Sequence, residues 1–373
     1  MDENLLKEAM TTIRRFAQHK GNEQCKAIFD TIDALYPGDM QPLVINVAKN
    51  KDATGYTFII NLPPGFAYRD FKKKEHYFAD AAGGAVQIDK AGKAVFLHLM
   101  TSEIQREYPY IWDPEKHKKL YLPFPVGYSP KGFIAADFSK VYYILVAGHP
   151  GAGKSAWLHQ VIMSILLARD CWVIIIDRKK LEYGYLKKHC MVVTSIKDAR
   201  KVLKALAYEG SSLLDKRLEI LERYDVREIV DLPGGVLKPV VLVVDELAEL
   251  DDKECMEYLN RYVRLGRAPG LWGIAATQRP SAKLSEDWTE TKALFPASAC
   301  FHVRDATNSQ MVLGNDRAAH IPNIPGRGIW QFDEELEFQG MYLPLKKAKK
   351  LLGEVPERSV NIIEQPPKRL PPR

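Results

Sequence analysis

Two rhythms of apolar and polar positions run along this chain, and one gives way to the other near residue 140. Upstream, short β-like runs are separated by turns: Leu43 to Val47, Tyr56 to Asn61, Ala85 to Ile88 and Ala94 to Leu99. Between the second and third, Ala67 to Ala81 carries helical spacing, and residues 4 to 18 put Leu6, Met10, Ile13 and Ala17 on one helical stripe. That stripe is expected to pack on its own domain. A small α+β domain follows from the mixture. Downstream, the runs are wholly apolar and helices stand between them. Val141 to Ala147, Trp172 to Ile176, Val240 to Val244 and Trp272 to Thr277 read as buried strands, with helical stretches at Ile196 to Tyr224 and Lys253 to Leu265. Shorter runs at Ala299 to Val303, Gly328 to Phe332 and Leu336 to Tyr342 complete the series. This alternation predicts an α/β fold, a mostly parallel sheet covered by helices, with ligands at the strand C-termini.

The stretch Pro123 to Lys140, with Gly127 and the Ser129–Pro130–Lys131–Gly132 turn, predicts a hairpin leading into the second region. The expected division is an N-terminal α+β domain over residues 1–122, an α/β domain over 123–352, and a Pro-rich basic tail over 353–373 that is expected to be disordered. Composition narrows the class. At 373 residues the chain is long enough for two domains, and its 46% hydrophobic and 27% charged content is that of an ordinary soluble protein. A formal charge of +6 permits a polyanionic partner without demanding one. Five cysteines without a C-x-x-C pair suggest neither a zinc site nor a disulfide framework. No apolar run approaches the ~18 residues that span a bilayer, and the charged N-terminus does not read as a signal peptide. A cytoplasmic chain without a transmembrane segment, recruited to the membrane only through a partner, is the expectation.

The first downstream strand runs into Gly148, His149, Pro150, Gly151, Ala152, Gly153, Lys154 and Ser155, followed by Ala156. This satisfies G-x-x-x-x-G-K-[ST] in full, and Leu158, Ile162, Ile165 and Leu166 then give helical spacing. Strand, glycine-rich loop and helix form the context in which backbone N–H groups and a helix N-terminus cradle phosphates. Lys154 is expected to reach the β- and γ-phosphates of ATP, and Ser155 to ligate Mg²⁺. About ninety residues later, Val240 to Val244 ends in Asp245 and Glu246. Asp245 is the expected second Mg²⁺ partner, and Glu246 the carboxylate that orients the attacking water. The next strand ends in Thr277–Gln278–Arg279–Pro280. Gln278 reads equally as a γ-phosphate sensor or as a loop amide satisfied by backbone. Arg267, in Gly266–Arg267–Ala268–Pro269–Gly270, reads either as a helix C-terminal cap or as an arginine finger for a neighbouring subunit.

Together these segments resemble the FtsK/SpoIIIE branch of the HerA–FtsK ring ATPases over roughly residues 123 to 345. Beyond the generic P-loop parts, Ile174 to Glu182 looks like the family's D-x-K-x-x-E strand end. Glu222 to Leu232, Val243 to Leu250, Gly266 to Pro280 and Phe301 to Gly314 follow in the family's order. His149 and Pro150 depart from the more usual Thr or Ser. Asn308–Ser309–Gln310 stands where an Asp–Ser–Arg is common, so no arginine role carries over there. Leu62 to Phe71 looks like coupling ATPases of Gram-positive conjugative elements. The resemblance implies a RecA-like P-loop motor that assembles as a homo-oligomeric, hexameric ring and threads double-stranded DNA. Relaxase or membrane-channel proteins are the implied further partners. Chromosome or plasmid partition and protein export are the alternative roles within the same superfamily. Lys72 to Lys74, Lys179 and Lys180, Lys187 and Lys188, and Lys346, Lys347, Lys349 and Lys350 are candidate path-lining cations, though such clusters are more often solvated faces.

Overall fold

The computed structural model describes residues 23–38, 41–49, 55–100, 104–180, 182–278 and 292–358. The helix expected over residues 4–18 and the Pro-rich end of the tail lie outside them. The chain divides into two compact units, Met1–Gln105 with Pro130–Gly132, and Arg106–Ser129 with Phe133–Arg373.

In the first unit, β1 (Leu43–Lys49), β2 (Gly55–Asn61), β3 (Ala85–Ala91) and β4 (Ala94–Met100) form an antiparallel sheet in the order β1-β2-β4-β3. Its core joins Phe58, Ile60, Ile88 and Leu97 of the sheet to Ile28 and Ile32 of a helix over Glu23–Leu35. Sequence periodicity alone did not expose that helix. The single helix expected over 67–81 is two, Tyr68–Lys72 and Glu75–Ala82. At the break, Lys72 Nζ donates to Ile88 O at 2.8 Å and Glu75 Oε2 accepts from Ile88 N–H at 3.0 Å. Both free backbone groups of Ile88 on an edge strand are thereby satisfied, which blunts that edge.

The second unit is built on one ten-stranded sheet. Its strands are β6 (Pro123–Ser129), β7 (Gly132–Asp137), β8 (Tyr143–Ala147), β9 (Trp172–Ile176), β10 (Met191–Val193), β11 (Val240–Val244), β12 (Leu271–Thr277), β13 (Ala297–Phe301), β14 (Arg327–Gln331) and β15 (Glu335–Gln339). The order is β10-β9-β11-β12-β8-β13-β14-β15-β6-β7. The first six run parallel. From β13 onward the pairing turns antiparallel, so the sheet is mixed, a parallel half extended by meander strands. All five residues of β8 and of β11 are buried, the mark of strands covered on both faces.

A helix over Lys154–Ala168 follows β8. It buries not only the expected stripe but also Trp157, Gln160, Val161, Met163 and Ser164, so it is covered nearly all round. Its buried polar groups are matched. Trp157 Nε1 and Gln160 Nε2 donate to Val126 O on β6 at 2.8 and 3.1 Å, and Ser164 Oγ pairs with the Tyr110 hydroxyl at 2.8 Å. These bonds explain why the second unit begins at Arg106 and not at residue 123. Tyr110 and Leu122 are buried in its core, and β5 (Tyr108–Pro109) pairs in parallel with β16 (Met341–Tyr342). The described first residues of the expected tail, 353–358, are packed on this unit. Val355 is buried, and Arg358 donates to the carbonyls of Cys171 and Leu166, each at 3.2 Å. Among the described residues, no helix is long and apolar enough to cross a membrane.

Candidate active site

Of four neighbouring parallel strands, β9 and β11 end level with each other, β12 and β8 end level with each other two residues further on, and the sequence-predicted chemistry gathers just beyond those ends. After β8 the loop turns through Gly151 at φ +85° and Gly153 at φ +102°. A Cβ on Gly153 would stand 2.2 Å from Gly326 N, so this position tolerates no side chain on two independent grounds. Gly326 N–H donates to Ala152 O at 2.8 Å, and His149 N–H to His302 O at 3.1 Å, which pins the loop against the segments after β13 and before β14. Of the two departures from the family pattern, His149 makes its own contacts: one ring nitrogen lies 3.0 Å from Asn323 Oδ1 and the other 2.6 Å from Pro150 O. The Lys154–Ala168 helix begins here, directing its N-terminus at the loop.

A cleft of about 490 Å³ opens over the loop, and His149, Pro150, Gly151, Gly153, Lys154, Ser155 and Ala156 all line it. Ala152 is buried beneath. Gln278 closes one side. Arg106, Glu107, Met341 and Tyr342 form a further wall that sequence reasoning missed, because the β5–β16 pairing that brings them together spans more than 230 residues. Within it, Met341 and Tyr342 give an apolar and aromatic surface beside the phosphate cradle, which suits a nucleotide base.

At the floor of the cleft lies a compact ionic cluster. Lys154 is 3% exposed, and its Nζ donates to Asp245 O at 2.5 Å. The same ammonium stands 3.6 Å from Asp245 Oδ1 and 3.9 Å from Glu246 Oε2. Asp245 and Glu246 are themselves buried, at 2% and 8%. The backbone N–H of Gln278 donates to both Glu246 oxygens at 3.1 Å, so β12 orients the carboxylate on β11. Tyr183, fully buried, donates its hydroxyl to Asp245 Oδ1 at 3.1 Å. Burial, with Asp245 and Glu182 nearby, pushes the phenol well above its ordinary range, so it stays a donor. His159 packs against it with ring centroids 4.8 Å apart and planes tilted by 31°, and burial lowers its pKa to about 4. The ring is therefore neutral at physiological pH. Tyr183 and His159 carried no signal in the sequence, since a lone aromatic or histidine on an apolar face is normally core.

Ser155 and Asp245 suit Mg²⁺ by their chemistry. They are hard oxygen donors few in number, and Mg²⁺ at phosphate sites keeps one or two protein ligands with waters and phosphate oxygens completing the shell.

Arg267 is not brought to this cleft. It stands before β12, at the opposite end of the sheet, with its guanidinium 4.2 Å from the Tyr142 ring centroid and Nη2 3.4 Å from Glu228 Oε1. Its turn is rigidly held. Buried Arg217 donates to Pro269 O at 2.9 Å and to Lys238 O at 2.7 Å, and Ile229 N–H to Ala268 O at 2.8 Å. Ser309, in the segment that departs from the family, has an internal partner: its hydroxyl accepts from Ala318 N–H at 3.0 Å.

The fold, the glycine-rich cradle and the buried Lys–Asp–Glu cluster define a P-loop nucleotide-binding domain. Residues 112–282 match the FtsK/SpoIIIE family model. The DNA translocase FtsK of Chlorobaculum tepidum is 28% identical over 288 residues, which cover 66% of this chain and 35% of that protein. That of Streptococcus pneumoniae is 31% identical over 247 residues, covering 60% and 31%. The chain thus spans about a third of the length of these curated relatives. Among solved structures, the pCW3 conjugation coupling protein TcpA, in its monomer form with ATPγS, shares the fold at a TM-score of 0.62 and 23% identity. The match covers 90% of this chain and 99% of that one. The cytoplasmic domain of the type VII secretion ATPase EccC of Thermomonospora curvata shares it at 0.54 and 20% identity, over 70% and 35%.

Proposed function

We propose that this chain hydrolyses ATP to drive translocation along double-stranded DNA, as the coupling motor of a conjugative mobile element. The observation that carries the catalytic part is the buried cluster in which one ammonium, Lys154, meets both strand-end carboxylates while Gln278 N–H holds Glu246. Phosphoryl transfer is catalysed mainly by positioning and charge stabilisation, and these groups supply both. Lys154 would turn to the β- and γ-phosphates. Glu246, fixed by the Gln278 backbone, would orient the attacking water and accept its proton. The Gln278 side chain would sense the γ-phosphate. Ser155 and Asp245 would hold Mg²⁺, which neutralises developing phosphate charge, and Tyr183 keeps Asp245 aimed. The DNA part rests on the FtsK relatives, and the conjugative role on the shared fold with TcpA across both units.

Steady-state ATP turnover with and without linear duplex tests this reading. Duplex is expected to raise kcat several-fold with any sequence, because contacts to phosphate carry no sequence information. The stimulation should fade with added salt as counterion release weakens binding. Indifference to duplex with a response to a secreted protein would favour an export role. Equal stimulation together with recovery on chromosomal or plasmid partition complexes, and not on relaxase, would favour partition.

A hexameric ring with Arg267 acting in trans completes the proposal. The distance of Arg267 from its own cleft and the rigidity of its turn support this, since a finger must be presented outward on a fixed base. Arg267→Ala and Lys154→Ala subunits are each expected to be nearly inactive, the former by about 10³-fold or more where such a finger operates. Mixed, they should recover part of the ATPase activity, because some interfaces then pair an intact cradle with an intact arginine. Co-assembly without recovery would sink the trans role.

A further inference from the structure

The geometry points to Lys179 as a positioning residue of the active site: it holds the Glu246 carboxylate when Lys154 is engaged with phosphate. This rests on the ATPase reading above and assigns a role to a lysine that sequence alone grouped with the DNA-path candidates.

β9 and β11 run parallel with Ile176 level with Val244, so the residues that follow them emerge side by side. Asp245 N–H donates to Ile176 O at 3.2 Å, which locks the two exits together. Asp177, 1% exposed, then acts as an internal cap: one carboxylate oxygen accepts from Lys180 N–H at 3.0 Å and the other from Glu182 N–H at 3.4 Å. Lys180 is forced to φ +65°, a left-handed conformation that a lysine rarely adopts. The bent backbone sends Lys179 inward, its Nζ 3.9 Å from Glu246 Oε2, while Glu182 reaches the cleft wall and Tyr183 reaches Asp245. One strand exit therefore supplies a partner for each carboxylate.

Charge accounting makes the role specific. Two ammonium groups, Lys154 and Lys179, face two buried carboxylates, Asp245 and Glu246. A buried anion that loses its counter-charge is costly to keep ionised and in place. Lys154 serves the phosphates during turnover, and Lys179 is then the remaining ammonium within 4 Å of Glu246 among the described residues. Its side chain is 34% exposed, and it is borne on a capped turn beside the strained Lys180, which keeps it next to the carboxylate.

The test compares Lys179→Met, Lys179→Arg and, as the charge control from the same turn, Lys180→Met, all in the full chain and checked for folding by circular dichroism. In duplex-free ATPase assays, Lys179→Met is expected to lower kcat about 10- to 100-fold, less than loss of the base itself, with KM within about twofold. Lys179→Arg should return most of that loss, and Lys180→Met should match the parent. In a Glu246→Gln background, Lys179→Met should add less than about a twofold further loss, since it acts through the carboxylate already removed. A Lys179→Met kcat equal to the parent's would overturn the assignment. So would losses that multiply in the double variant, or a defect confined to the duplex concentration for half-maximal stimulation, which would return Lys179 to the DNA path. If the parent itself shows no turnover sensitive to Lys154→Ala, the ATPase reading fails first, and the two failures are told apart.

Discussion

Lys154→Ala is expected to abolish ATP binding and turnover. A hydrogen bond to a charged group contributes about 1.5–3 kcal/mol, and this ammonium is the loop's only side-chain charge at the phosphates. Affinity should therefore fall by about 10- to 150-fold from that bond alone. The structure adds a consequence for stability. Lys154 is buried between two buried carboxylates, and removing one member of a buried ionic pair typically costs about 3–5 kcal/mol. Asp245 keeps the Tyr183 hydroxyl, and Glu246 keeps the Gln278 N–H and Lys179, so the low end of that range applies. The variant should show native far-ultraviolet circular dichroism with a lowered Tm. Nucleotide titration and a thermal melt check both halves. Retained tight ATP binding would contradict the site as described.

Glu246→Gln should separate binding from chemistry. The amide keeps the side-chain length and one acceptor for the Gln278 N–H, but it cannot take a proton from water. Nucleotide affinity is expected to stay within a few-fold, while kcat falls by about 10²–10⁴, the usual contribution of a positioned general base. Single-turnover hydrolysis with separate measurement of ATP affinity distinguishes this from a folding defect. If turnover matched the parent, Glu246 would only tie β11 to β12, and another base would be needed.

Local order carried much of this to the surface of the sequence. The glycine-rich loop lies between a buried strand and a helix within ten residues, and the phosphate cradle is a local backbone geometry, so spacing alone exposes it. The run Val240 to Val244 ending in Asp245 and Glu246 is legible for the same reason: five apolar residues need a covered strand, and polar groups collect at its end. Most of the longer strands were likewise placed to within a few residues, whereas the helix Glu23–Leu35, buried along one face, was not read at all.

Other features depend on pairings that no local pattern encodes. The second unit starts at Arg106 because β5 pairs with β16, and that pairing also sets Arg106 and Tyr342 as a wall of the cleft. The antiparallel half of the sheet could not be told from the parallel half, since short apolar runs read alike in either direction. Tyr183 and Lys179 belong to the site only because β9 and β11 end level. Arg267 stands away from the cleft because it precedes a strand whose far end carries Gln278. The sequence by itself determined the phosphate loop, the paired carboxylates and the α/β class, since each is set by contacts within one strand–turn–helix segment. Only the tertiary structure decided which lysines face those carboxylates and which chain segments enclose the cleft. Those depend on register between strands far apart in the chain, where burial and hydrogen bonding act between segments and leave no periodic trace within any one of them.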